Sequence, residues 1–200
     1  MTTDDLTAPG WRWIGGAGTP SGTMGSSGVA VPFDRIRAVL TRLPYVYEHE
    51  LPFIDEADRG YLSQELSAFM LAWLAGLSCP VLNRPSPSSL LGVGWRPERW
   101  LLEAARVGLP TRPLRRTPDQ PIHGTPNGPV VRAAVVGDRV LHSPCPEFSP
   151  RLRALARAAA VDLLAVECVL LRQQWWVRGA DLFVDLDDPA IADAILEHLR

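Results

Sequence analysis

The sequence predicts an α/β protein in which helices cover a sheet. Three observations carry this reading: strand-like and helix-like segments alternate from Ile36 to the C-terminus, one long segment spaces its apolar residues as a helix does, and another folds back on itself at Gly137-Asp138. Alternation of that kind favours a helix-covered sheet over an all-α or all-β design. The chain's 200 residues fit one domain or two small lobes, and 46% hydrophobic with 21% charged residues is a globular mixture.

Taken in order, residues 1–28 are dominated by Gly, Ser, Thr and Pro without apolar periodicity, which predicts a flexible arm. Trp11, Trp13 and Ile14 are its large apolar residues, and docking back onto the core is their expected fate. Ile36 to Leu43 alternates as a short strand halted by Pro44. From Asp58 to Leu77 the period becomes 3.6, with Leu62, Leu66, Phe69, Trp73 and Leu77 on one stripe and Asp58 placed to cap the first turn. Cys79 to Leu82 is a brief strand before the Asn83-Arg84-Pro85 turn. Pro97 suits the first position of a helix running to Val107, with Glu98 in its first turn and Gly108 closing it.

Leu114 to Pro129, rich in Pro, Arg, Thr and Gly, reads as loop. Val130 to Leu141 gives two strands about the Gly137-Asp138 turn, and Arg151 to Ala160 a helix with Leu152 and Leu155 inward and Arg153 and Arg157 outside. Leu163 to Leu171 and Asp181 to Leu186 read as strands separated by a Trp175-Trp176 stretch, and Ala190 to Leu199 as a final amphipathic helix beside Pro189.

Composition excludes several functions. A formal net charge of -2 argues against a nucleic-acid groove, which would be strongly basic. No run approaches the roughly 18 apolar residues that span a bilayer, and Asp4 and Asp5 stand where an export signal wants positive charge. A soluble, cytoplasmic chain with no nucleic-acid and no membrane partner is expected. Three cysteines, Cys79, Cys145 and Cys168, without a close pair, suit buried thiols in a reducing compartment. His142 and Cys145 are spaced as half a metal site, but no second half exists in the sequence, so zinc is not expected. All 20 basic residues are arginine, so no lysine ammonium is available to a phosphate.

From about Phe33 onward several strings resemble the ATP-grasp superfamily, in particular its branch of ribosomal-protein glutamate ligases and enzymes that cross-link ribosomal peptides. Phe33 to Pro44 resembles the strand of the family's pre-ATP-grasp lobe, and the Gln64-Glu65 helix with Pro80 to Pro85 resembles the helix and asparagine-containing strand end that follow. Arg96 to Pro110 looks like the helix ending in Ala104, three residues, Gly108-Leu109-Pro110. Val131 to Val140, with Arg132 and the run Val135-Val136-Gly137-Asp138-Arg139-Val140, is the closest local match. The resemblance implies a truncated ATP-grasp-like fold: a pre-ATP-grasp-like lobe over 29–112, then a helix-covered mixed sheet over 113–200 corresponding to the C-terminal lobe.

The resemblance also implies Mg-ATP and the residues to hold it. The family's metal is held by carboxylates on two adjacent strands, because a hard cation takes oxygen ligands; the matching residues are Glu167, Asp185 and Asp187. The match departs from the family, which has Glu then Asn at the last two positions. Asp185, Asp187 and Asp188 equally suit a polar strand exit in which Asp188 caps the last helix. On the phosphate side Arg96 stands nearest an expected lysine and Arg132 resembles an arginine facing the triphosphate. Each equally suits a solvated or acid-paired surface arginine.

The largest departure is the lid. After Gly108-Leu109-Pro110 the family continues into a glycine-rich cover carrying a second lysine, whereas here Leu114 to Pro129 leads straight to the hairpin. Losing both lysine and lid removes two parts of the phosphate grip. The reading is therefore a degenerate ATP-grasp-like protein without ATP affinity, a non-catalytic binding or scaffold subunit for a peptide or partner enzyme, with Trp95, Trp100, Trp175 and Trp176 as contact-surface candidates. The alternative is an active ATP-dependent carboxylate-amine ligase, forming an acyl phosphate from Mg-ATP and completed by a partner subunit.

Overall fold

The computed structural model describes residues 3–15, 20–111 and 128–200, arranged as two compact units, Met1–Gly92 and Val93–Arg200. Most of the Leu114 to Pro129 loop lies outside the described residues. The helix from Pro97, expected to close the first lobe, belongs to the second unit.

The first unit opens with a short helix, α1 (Thr3–Thr7), and a three-stranded antiparallel sheet of β1 (Arg12–Ile14), β2 (Ser21–Ser26) and β3 (Val29–Pro32) in that order. Strands thus occupy residues read from sequence as a flexible arm. Ser27 and Gly28, both at positive φ, close a two-residue hairpin between β2 and β3, so small residues here serve sheet geometry. Gly22 is required for close approach: a Cβ there would lie 1.8 Å from the Arg12 carbonyl oxygen.

Trp11 docks on the core, as expected, with its ring edge-on to Phe69 at 5.2 Å and Trp73 at 5.3 Å and its Nε1–H donating to the Asp5 carbonyl at 2.7 Å. Trp13 and Ile14 instead stay exposed. The extended segment after Pro32 is shorter as a strand than its alternation suggested. A single 3₁₀ turn, Phe33–Arg35, precedes β4 (Val39–Leu40), which pairs in parallel with β5 (Val81–Leu82). The Val39 and Thr41 amides donate to the Pro80 and Leu82 carbonyls at 2.9 and 3.0 Å.

The long helix, α2 (Glu56–Gly76), is capped by Asp55, whose carboxylate accepts from the Ala57 amide at 3.3 Å; Asp58 lies within the first turn rather than at the cap. Its buried stripe of Met70, Trp73 and Leu74 meets Leu6, Phe33, Val46 and Leu51 in one core.

In the second unit α3 (Pro97–Arg106) starts at Pro97 and ends where Gly108 takes φ +80°. A four-stranded antiparallel sheet follows, ordered β7-β6-β8-β9, from β6 (Val130–Val136), β7 (Arg139–Leu141), β8 (Leu163–Leu171) and β9 (Gln174–Asp181). Helices α4 (Phe148–Ala158) and α5 (Pro189–His198) pack against it, and α3 against β9. The β6–β7 hairpin turns at Gly137, at φ +55°, as the sequence indicates. The last strand corrects the sequence reading: Trp175 and Trp176 sit inside β9, and Val184 to Leu186 form no strand. A two-residue turn at Arg172 and Gln173, both at positive φ, joins Leu171 to its partner Gln174.

Of the proposed contact tryptophans, Trp100 is buried, and Trp95, Trp175 and Trp176 are half-buried. No helix among the described residues is long and apolar enough to cross a membrane.

Candidate functional site

Strand pairing decides which side chains share a face. Arg132 on β6 stands directly opposite Glu167 on β8, and Ala134 and Ala165 one pleat further on stand level with Asp181 of β9. Residues paired across strands, and those two apart along one, project to the same side, so Arg132, Glu167 and Asp181 line one face. Where β8 pairs with β9 the register slips between Glu167 and Cys168: Glu167 pairs with Gly179, Cys168 with Val177, and Arg178 is the extra residue of a bulge. The chain leaving α3 is stitched to the same place, the Val177 amide donating to the Pro110 carbonyl at 2.7 Å.

Two ion pairs occupy this face. Arg178 Nη1 donates to Glu167 Oε1 at 2.5 Å, with the side chains 20% and 30% exposed. Arg132 Nη2 reaches both Asp181 carboxylate oxygens, at 2.6 and 2.7 Å, and the Phe183 carbonyl at 2.8 Å. Two guanidinium groups thus balance two carboxylates, and charge-assisted contacts of this length are the strong kind. Cys168, beside Glu167, is buried; burial above all, then Cys145 and Glu167, pushes its thiol up to about 12, so it stays protonated near neutral pH and is no nucleophile.

The structure brings two of the five sequence-derived candidates, Arg132 and Glu167, to one face. Asp185 and Asp187 lie beyond β9 in a loop, where Asp185 Oδ1 accepts from the Asp187 amide at 3.0 Å, a local turn rather than two side chains sharing a strand face. Arg96 is the exposed residue before α3 and has no acidic partner among the described residues. Its neighbours along the helix are engaged: Arg99 and Arg106 pair with the buried Glu103 at 2.6 and 3.0 Å, and the Arg99 guanidinium lies 5.2 Å over the Trp95 ring. Among the described residues no three His, Cys, Asp or Glu side chains gather as a metal site. To hold Mg-ATP, Glu167 would have to leave Arg178, and Asp185 would have one oxygen already engaged by the backbone of its own turn.

Asp188 does cap α5, accepting from the Ala190 and Ile191 amides at 2.8 and 3.3 Å, and pairs with His142 Nε2 at 2.8 Å. Desolvation alone would raise its pKa, but the two amides and His142 together hold it below the usual value. A depressed carboxylate contributes stability that is present above its unfolded pKa of about 3.9 and is lost as pH falls through the lower folded value. The Asp188→Asn variant is therefore expected to lose stability relative to wild type at pH 6 and to show a smaller difference as pH falls below about 3.9, followed by circular dichroism melts across pH. An equal difference at every pH would contradict a contribution from the carboxylate's charge, since asparagine also caps.

Sequence reasoning missed Asp181, Arg178 and Glu103. Only Glu103 carried a local signal, its spacing of four from Arg99 and three from Arg106 on one helix.

The fold is one shared with solved ATP-grasp ligases and a macrocyclase. Among solved structures, the chain is similar to the macrocyclase MdnC from Microcystis aeruginosa bound to precursor peptide MdnA, with a TM-score of 0.71 at 13% identity over 98% of this chain and 88% of that one. It is also similar to a RiPP-associated ATP-grasp ligase from Chryseobacterium gregarium in complex with ADP and a leader and core peptide, at 0.69 and 11% over 98% and 86%. The ATP-grasp ligase PsnB, complexed with a precursor variant, Mg and ADP, matches at 0.69 and 14% over 99% and 87%. No family model and no curated protein sequence matches the chain. Identities this low speak for the fold, and function has to be argued from the site.

Proposed function

We propose that this chain is a non-catalytic ATP-grasp-like protein that binds a peptide or a partner enzyme. The observation that carries the reading is the pairing of Arg178 with Glu167 and of Arg132 with Asp181, which sets an arginine against the carboxylate that would meet metal and a carboxylate against the arginine that would meet phosphate. A cation binding there would have to break a short pair and leave a half-buried guanidinium without its carboxylate, at a cost of about 1–3 kcal/mol. The absence of lysine adds to this, since no compact ammonium is present to neutralise a phosphate. Peptide binding is supported by the neighbours of like fold, which hold precursor or leader and core peptides.

A second reading is favoured by two of the structures of like fold, which are ATP-grasp ligases that hold ADP. In it the chain is an ATP-dependent carboxylate-amine ligase, with Glu167, Asp185 and Asp187 turned onto Mg²⁺ and Arg96 and Arg132 toward the phosphates. Calorimetric titration with Mg-ATP separates the two. The expected result is no binding tighter than about 1 mM; a clear isotherm below that, with ADP released in the presence of a peptide, gives the chain to the ligase reading.

A further inference from the structure

The first unit carries a groove of about 470 Å³ between α2, the segment just before Glu48 and the turn from Ser86 to Leu90. We propose that this groove binds an arginine side chain of a partner peptide. The inference names a ligand for the peptide-binding reading above, but draws on residues of the other unit.

Its walls are fixed. Ser63 Oγ donates to the Val46 carbonyl at 2.6 Å and Ser67 Oγ accepts from the Val46 amide at 3.1 Å, which pins the segment between the two tyrosines to α2. The Tyr45 hydroxyl donates to the Ser88 carbonyl, tying that ring to the opposite wall. Tyr45 and Tyr47 meet edge-on at 6.0 Å, and His49 stacks on Tyr47 at 5.4 Å. Despite these contacts Tyr45 and Tyr47 remain 43% and 40% exposed. Two anchored, half-exposed aromatic rings form a preorganised platform.

Charge selects the occupant. Among the described lining residues Glu48 is the one charged side chain, and its carboxylate lies near Gly60 of α2. A carboxylate beside aromatic rings attracts a cation through both Coulomb and ring-quadrupole terms. Between the two basic side chains, guanidinium is the better fit, because it is planar, stacks on rings and meets a carboxylate with a fork of donors while shedding water more readily than ammonium. Ala68 and Leu71 in the lining offer apolar surface to the aliphatic stem.

The test is NMR titration of the full chain with the capped tripeptide Ac-Gly-Arg-Gly-NH₂ at low salt, up to about 10 mM. The expected result is saturable shifts of the Gly60, Ser63 and Gln64 amides. The neutral citrulline analogue should give none, and the lysine analogue should bind about threefold more weakly. Glu48→Gln, an exposed substitution, should weaken binding about fivefold. Tyr47→Leu should weaken it about as much while Tyr47→Phe retains it, since the ring and not the hydroxyl is used. Equal shifts from citrulline, equal binding of lysine, an unchanged affinity in Glu48→Gln, or no shift at the highest concentration overturns the proposal. Mg-ATP binding by the second unit would remove the non-catalytic reading and leave this outcome untouched, so the two fail separately.

Discussion

Replacing Trp73 with alanine is expected to cost the first unit about 3–5 kcal/mol, a large share of the stability of a unit this size. Trp73 is 2% exposed and is the hub on which Trp11 and Phe33 pack, at 5.3 and 6.2 Å, so truncation leaves a cavity that the strands around it cannot close. Its Nε1–H has no hydrogen-bond partner, which makes a second substitution informative. Trp73→Phe keeps most of the ring and removes an unsatisfied buried donor, whose burial is itself unfavourable by about 1–3 kcal/mol. The smaller variant is therefore expected to lose far less than alanine, within about 1.5 kcal/mol of wild type. Urea unfolding followed by circular dichroism measures both; similar losses for alanine and phenylalanine would show that the indole nitrogen and not the packing matters.

Arg178→Gln is expected to destabilise the second unit by about 1–3 kcal/mol, because it strands the Glu167 carboxylate, 30% exposed, on the sheet without its counter-charge. The double variant Glu167→Gln with Arg178→Gln should recover part of that loss, since the penalty lies in the unpaired charge more than in the missing pair. A double variant that simply adds the two single losses would mean the pair is not coupled. Arg132, at 41% exposure, is expected to show a smaller effect on replacement, because water already screens its contact with Asp181.

Much of the second unit was legible because its signals are local. The Gly137-Asp138 turn, Pro97 at a helix start, Gly108 at its end and the apolar run of Leu163 to Leu171 each specify an element from a few neighbouring residues. The errors have equally specific causes. Gly and Ser between residues 20 and 28 looked like a linker, but serve as a strand and its turn, and the order comes from packing of Trp11 that no short window reveals. Arg172-Gln173 carries no glycine or asparagine, so the turn into β9 was invisible and the strand was placed beyond its tryptophans. That shift matters for the site. It removed Asp185 and Asp187 from a strand and put Asp181 and the bulged Arg178 where partners for Arg132 and Glu167 were needed. Arg132 and Glu167 were identifiable by resemblance, but their partners depend on strand register and a bulge, which sequence periodicity does not encode.

The central claim is that Arg178 holds the Glu167 carboxylate in place of a metal. Crystals of the chain soaked with Mg²⁺ and ADP test it most directly. The account predicts Arg178 Nη1 still bonded to Glu167 Oε1 and no nucleotide on that face of the sheet. Glu167 swung away from Arg178 onto a Mg²⁺ ion shared with Asp185 or Asp187, with phosphate oxygens completing its shell, would contradict it.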